Sequence, residues 1–164
     1  MTKTYARRSG FSLIELVIVV VIIGIIAAIA IPRLSRGASG AADSALSGNL
    51  AVLRNAIDLY ATEHGGTYPA LSTLEAQLTQ FSDASGTTSA TKSSSAIYGP
   101  YLRKMPSLPV GPATYKGTST VVDGSTGAAG ASAGAWFYNA TTGEIKANLA
   151  DAQVDASGTK YNSY

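Results

Sequence analysis

One carboxylate, Glu15, stands inside the apolar stretch FSLIELVIVVVIIGIIAAIAI that runs from Phe11 to Ile31. An ionisable side chain at the centre of a bilayer costs about 2.5–3.5 kcal/mol on insertion scales, so such a residue needs a partner. A cut between Gly10 and Phe11 would create one: an α-amino group, with a reference pKa of about 7.7–8.0, four residues before Glu15. Two pairings are then open. Within one helix the relation is i,i+4, so amine and carboxylate of the same chain can meet, and the helix macrodipole also favours an acid near the helix start. Between two copies the charges are offset by roughly 6 Å along the axis at 1.5 Å per residue, so a neighbour displaced lengthwise aligns them. A staggered head-to-tail contact need not close, and repeated it gives a helical filament.

Other chemistry has little material. The chain has no cysteine, which removes disulfides, thiolate metal sites and a cysteine nucleophile. With a single histidine, His64, a catalytic triad or transition-metal centre is nearly unbuildable; its place before Gly65-Gly66 reads as a last-turn residue facing the negative helix end. The stretch Gly124 to Gly134 lacks the Lys-Ser/Thr of a phosphate loop and reads as a flexible loop. Asp123, Asp151 and Asp155, with Glu144, offer oxygen ligands that would suit calcium, but their spacing matches no EF-hand, and solvated surface carboxylates are the competing reading. Asn139-Ala140-Thr141 matches a glycosylation triplet, a pattern frequent by chance.

The elements that position Glu15 follow from hydropathy. A helix from Phe11 to Ile31 covers roughly 30 Å, about the hydrocarbon thickness of a bilayer. Lys3, Arg7 and Arg8 on its N-terminal side favour a cytoplasmic start, with Arg33 and Arg36 opposing them on the far side. A secretory signal is the competing reading, with Ala28-Ile29-Ala30 as its cleavage site; but the apolar run exceeds the usual 7 to 15 residues of such signals, about half its length, and a removable signal has no use for Glu15. The net charge of +2 comes from the leader: without its three basic residues nine basic face ten acidic, which argues against nucleic acid as a partner.

At 164 residues the chain allows one globular unit besides this segment. Leu46, Leu50, Leu53, Ile57 and Tyr60 recur at helical spacing and predict an amphipathic continuation of the helix, residues 32–66, to a stop at Gly65-Gly66. Pro32 lacks an N–H for the carbonyl of Ala28, which predicts a kink. Ser72 and Glu75 fit a capping box opening a short helix to about Phe81, and Ser82 to Ser95 reads as a weakly ordered loop. Strands are expected at Thr114 to Val122, Ala135 to Asn139 and Glu144 to Leu149, as a three-stranded antiparallel sheet whose last hairpin turns at Ala140 to Gly143. The expected fold is α+β, with a long N-terminal helix packed on a small antiparallel sheet domain, residues 67–164.

Arg8-Ser9-Gly10-Phe11-Ser12-Leu13-Ile14-Glu15-Leu16, with Pro32 ending the apolar run, resembles the prepilin-type cleavage and methylation motif of type IV pilins and type II secretion pseudopilins. The resemblance implies a pilin-like lollipop fold, removal of leader residues 1–10 by a membrane aspartyl prepilin peptidase, N-methylation of Phe11, and a transmembrane and assembly helix at 11–31. Tyr60, Gly65-Gly66, Tyr68-Pro69 and Tyr101 to Pro106 are similar to segments of major pseudopilins, and Trp136 to Asn139 with Gly143-Glu144 to a terminal hairpin of pilin-like proteins. Leu108-Pro109-Val110-Gly111 departs from the pseudopilin Asp-Pro-Trp-Gly, and the Gly124–Gly134 insert fits neither group. Pseudopilins also imply a calcium site in the C-terminal loop, for which Asp123, Asp151 and Asp155 are the candidates.

The functional expectation is a non-enzymatic structural subunit of a pilus-like filament, ranked first as a type II secretion pseudopilin. The competing readings are a minor pilin serving adhesion, motility or DNA uptake, and a tethered enzyme, for which no catalytic constellation is visible. The expected partners are further copies, prepilin peptidase, an inner-membrane assembly platform, other pilins or pseudopilins, and lipid. The expected location is the bacterial inner membrane, crossed once, with the C-terminal domain outside the cytoplasm and the assembled filament periplasmic or at the surface.

Overall fold

The structure, a computed structural model, describes residues 10–126, 129–130 and 133–164, apart from the side chain of Ser35. The leader residues Lys3, Arg7 and Arg8, and positions 127–128 and 131–132 of the glycine-rich insert, lie outside the described residues. The chain divides into two compact units, residues 1–38 and 39–164, and helix α1, Leu13–Glu63, contributes to both. The architecture is α+β, a long N-terminal helix with small sheets.

In the first unit every large apolar side chain from Leu13 to Leu34 is exposed. Water does not tolerate so large an apolar surface, and the segment is long and apolar enough to cross a membrane. Pro32 lies within α1, which continues through it, and Arg36 Nε donates to the Pro32 carbonyl at 3.3 Å.

The second unit is built on the rest of α1. Leu46, Leu50, Leu53, Ile57 and Tyr60 are all buried, as their spacing requires. They share one core with Leu74, Leu78, Leu108, Trp136, Tyr138, Ile145 and Leu149. The helix stops where the glycines are. Gly65 and Gly66 take φ of 65° and 86°, and Gly66 N–H donates to Ala61 O at 2.7 Å, the long bond of a Schellman motif.

The next segment differs from expectation at its start. A 3₁₀ turn, Leu71–Thr73, precedes α2, Leu74–Thr79, so the helix is capped by Thr73 without a side-chain hydrogen bond and the Ser72–Glu75 capping box does not form. Gln77 takes over part of that work: its Oε1 accepts Ala70 N–H at 2.8 Å and its Nε2 donates to Gly86 O at 2.9 Å.

Ser82 to Ser95 is likewise more regular than its composition suggests. β1 (Phe81–Ser82) and β2 (Thr88–Ser89) pair antiparallel around Asp83-Ala84-Ser85-Gly86-Thr87. Asp83 Oδ1 accepts the N–H groups of Ser85 and Thr87, and Gly86 sits at φ 81°. The pentapeptide recurs at Asp155-Ala156-Ser157-Gly158-Thr159, where Asp155 Oδ1 accepts Ser157 and Thr159 N–H and Gly158 sits at φ 86°. One local solution, an aspartate that caps its own loop, thus closes two turns.

The second sheet has the order β3 (Val121–Asp123), β4 (Trp136–Tyr138), β5 (Ile145–Ala147). It is not wholly antiparallel: β4 and β5 are antiparallel, but β3 runs parallel to β4. A parallel neighbour requires the chain to return to its starting end, about a dozen residues, and residues 124–135 supply the return. Two of the described glycines there are forced by space: a Cβ on Gly134 would lie 2.6 Å from Val122 Cγ1, and one on Gly124 would lie 2.9 Å from the Tyr138 carbonyl carbon. The first part of the expected strand, from Thr114, is instead a turn in which Pro112 O accepts Tyr115 and Lys116 N–H, and Leu108 and Thr118 are joined by a 2.9 Å backbone bond. The β4–β5 hairpin turns where expected, with Asn139 Oδ1 accepting Thr141 N–H at 2.8 Å and Gly143 at φ 73°.

Candidate functional site

The sequence in which Glu15 sits also starts α1. Leu13 is the first helical residue, which makes Ser12 the N-cap and Glu15 the third residue of the helix. Glu15 Oε2 accepts Ser12 N–H at 2.8 Å, the return bond of a capping box. The acid therefore has a local donor before any cleavage, and it satisfies one of the helix's orphan N–H groups. Ser12-Leu13-Ile14-Glu15 carries the Ser-x-x-Glu signal ahead of an apolar run, so this bond was detectable in the sequence.

The Gly10–Phe11 bond, where cleavage is expected, lies just outside that first turn. Gly10 and Phe11 precede the helix and are exposed, Phe11 at 83%, so the bond between them is not part of the helix. A Cβ on Gly10 would meet nothing within 4 Å, so the glycine answers no steric demand of the fold itself. Gly10, Phe11 and Glu15 thus fall together around the start of α1. Pro32 stands on the same helix, well beyond its first turns.

The remaining candidate residues are dispersed. Asp123 ends β3 and accepts Ser125 N–H at 2.8 Å; the Ser125 hydroxyl first, and then this N–H, hold its carboxyl below the usual range. Asp151 accepts Lys160 Nζ at 2.6 Å and Asn162 Nδ2 at 2.8 Å, and the hydrogen bond from Lys160 is the main reason its pKa is lowered. Asp155 caps its own loop and also accepts the Tyr164 hydroxyl, which lowers its pKa most. Glu144 pairs with Lys146 at 3.1 Å. Among the described residues no three His, Cys, Asp or Glu side chains gather as a metal site would need.

A serine and the histidine do meet: Ser82 Oγ lies 3.1 Å from His64 Nε2, with His64 Nδ1 2.8 Å from Tyr60 O. Ser82 is completely buried, so no substrate reaches it. The imidazole stacks on Tyr60 at 3.8 Å and lies 2.9 Å from Asp83 O, so it joins the end of α1 to the first hairpin. Its position against a last-turn carbonyl agrees with the sequence reading.

Residues 5–31 match a family model described as the prokaryotic N-terminal methylation motif. That motif is characteristic of type IV pilins and pseudopilins. No curated protein and no solved structure matches the chain. The match covers the motif alone, 27 of 164 residues, and the helix that begins within it is long and apolar enough to cross a membrane.

Proposed function

We propose that this chain is a type II secretion pseudopilin: cut after Gly10, methylated on Phe11, held in the inner membrane by residues 11–31 and polymerised through that helix into a periplasmic filament. The observation that carries the filament reading is the acid at position 15, one helical turn after an exposed Gly-Phe bond in a segment otherwise fit only for lipid. The narrower pseudopilin reading is supported by the likeness of Tyr60 to Pro69 and Tyr101 to Pro106 to major pseudopilins.

Maturation changes the electrostatics of Glu15. Before the cut its carboxylate is served by a neutral N–H from Ser12. After it, a cationic amine stands on Phe11, and methylation of an amine can retain that charge. Unit charges about 4 Å apart attract by roughly 4 kcal/mol at an effective dielectric of 20, more than about 1 kcal/mol in water, so the bilayer edge strengthens the pair. A carboxylate already capping its own helix has one oxygen left over, which is free to take the amine of a displaced neighbour.

Mass spectrometry of subunits produced with a prepilin peptidase is expected to give a methylated N-terminus at Phe11; any other natural N-terminus removes the proposal. Glu15→Ala is expected to insert at wild-type levels and to lower filament yield at least about tenfold, since one lost charge pair of about 1.4 kcal/mol per subunit contact is a factor of ten. Sheared-filament yields equal to wild type would count against the charge pair. Secretion of the cognate exoprotein, abolished by deleting this subunit, separates a pseudopilin from a surface pilin.

A further inference from the structure

The two edges of the mixed sheet are finished differently. In the parallel ladder Thr120 O accepts Trp136 N–H at 3.1 Å and Gly124 N–H donates to Tyr138 O at 2.7 Å, so Thr120, Val122 and Gly124 turn their backbone groups toward β4. Val121 and Asp123, which alternate with them, turn theirs outward. None of these outward N–H and C=O groups has a hydrogen-bond partner among the described residues. At the opposite edge the outward carbonyls of β5 are taken within the fold: Ile145 O accepts Arg54 Nη2 at 3.2 Å, and Ala147 O accepts Leu149 N–H at 2.9 Å.

The sequence of β3 does nothing to discourage a further strand. Exposed edges are ordinarily blunted by lysine or proline; Ser119-Thr120-Val121-Val122-Asp123 holds neither, and three of its residues in a row are β-branched. The edge opens onto a groove of about 240 Å³, lined by Ser119, Thr120 and Val121 on one side and by Leu71, Ser72 and Glu75, from the turn that leads into α2, on the other. Glu75 is exposed, and its carboxylate has no partner among the described residues. Asp123 is exposed at the end of the strand, and among the described residues no basic side chain lines the groove.

We propose that the free edge of β3 takes up an extended segment of another protein, paired with Val121 and Asp123 as a fourth strand and carrying lysine or arginine toward Glu75. An extended backbone is the ligand whose donors and acceptors repeat at the two-residue spacing of these outward groups, about 7 Å. The groove receives its alternate side chains, and the two carboxylates select a basic partner and speed its approach. The contact lies wholly within the second unit and requires neither the membrane nor the filament proposed above.

The probe is a fluorescein-labelled peptide of alternating lysine and valine, about six residues long like an ordinary strand, titrated against the full-length chain in nonionic detergent and read by fluorescence anisotropy. Saturable binding is expected, weakened at least about threefold when salt rises from about 0.05 M to about 0.5 M. Val121→Pro removes an outward N–H and no ladder bond, a change that edge strands tolerate, and is expected to weaken binding at least about tenfold. Glu75→Lys, at an exposed position, is expected to weaken it at least about fivefold and decides the matter if Val121→Pro does not fold. A further reading leaves the protein untouched: the lysines fix which peptide residues face β3, so N-methylation of every second amide is expected to abolish binding in one phase and spare it in the other. No saturable binding, equal loss from both methylated peptides, or full binding by both protein variants overturns the proposal. Concentration-dependent dimers of the wild-type chain that disappear in Val121→Pro, with no binding of the peptide, show that a second copy occupies the edge and refute the proposed partner.

Discussion

A Cβ built on Gly10 meets no atom within 4 Å, whereas one on Gly143 would lie 2.4 Å from the Tyr68 ring, in a backbone already at φ 73°. The fold therefore forces the glycine at 143 and makes no such demand at 10, where the proposed processing would supply one. Gly143→Ala is expected to lower the thermal midpoint of the C-terminal domain, through a stability loss of about 1–3 kcal/mol from strain and overpacking. Gly10→Leu is expected to leave that midpoint unchanged and to block processing, seen as an uncleaved band on a gel; normal cleavage of Gly10→Leu would disprove the role given to Gly10. Tyr161 gives a residue-level pH prediction. Burial first, then its bond to Asp43, push its phenol up to about 12. A raised pKa means that the folded chain favours the neutral phenol, so this stability is intact below about pH 10 and is lost as pH climbs toward 12. Tyr161→Phe should cost about 1 kcal/mol at neutral pH for the lost hydrogen bond and should lessen, without abolishing, the alkaline decline, because Tyr60 and Tyr164 are also raised. Denaturant melts at pH 7 and pH 11 check both parts.

At the scale of elements, what the sequence made legible was what local periodicity decides. Five apolar residues on one helical face identified the buried side of α1, and Gly65-Gly66 its end, because both are set within a few turns of chain. The parallel pairing of β3 with β4 was not legible. Strand direction depends on where residues 124–135 carry the chain, and a run of glycine, alanine and serine reads equally well as a loose loop. Gly124, Gly130 and Gly134 in it, however, sit where backbone and side chains leave no room. Gly134→Val is expected to separate β3 from β4 and destabilise the domain by about 2–4 kcal/mol, since the new side chain must displace Val122. A Gly117→Val control, with nothing within 4 Å of its Cβ, carries backbone strain at φ 83° but no clash. Equal losses for the two variants in chemical denaturation would refute the steric account. The hairpin β1–β2 was missed for the opposite reason: a Ser/Thr-rich composition concealed a capped turn, although the recurrence of Asp-Ala-Ser-Gly-Thr at 83–87 and 155–159 is itself a legible sign of one local structure used twice.

At the scale of the whole molecule, two solvents act on one helix. Every large apolar residue from Leu13 to Leu34 is exposed, whereas from Leu46 to Tyr60 the apolar face is closed over by the chain's own core. The second unit, residues 39–164, therefore holds all the partners its core requires: α1 supplies Leu46 through Tyr60, α2 supplies Leu74 and Leu78, and the mixed sheet supplies Trp136, Tyr138 and Ile145. A domain of this size buries enough surface to fold alone, and its closing segment is tied to the helix by Tyr161 on Asp43 and by Arg54 on Tyr164 O. A fragment beginning at Ser39 is thus expected to be soluble without detergent and to melt in one cooperative transition followed by circular dichroism, while the full chain in water aggregates through its apolar helix. Leu53→Ala in that fragment should lower stability by about 2–5 kcal/mol, because Leu53 is completely buried and its loss leaves a cavity in the shared core. Truncation at residue 67, which keeps the globular part but deletes the helix, should then leave no cooperative melt at all, since Trp136 and Tyr138 lose the face they pack on. A cooperative melt of that shorter fragment would show that the helix is only a stalk, and the separation of one helix between two solvents would no longer explain why its halves differ in sequence.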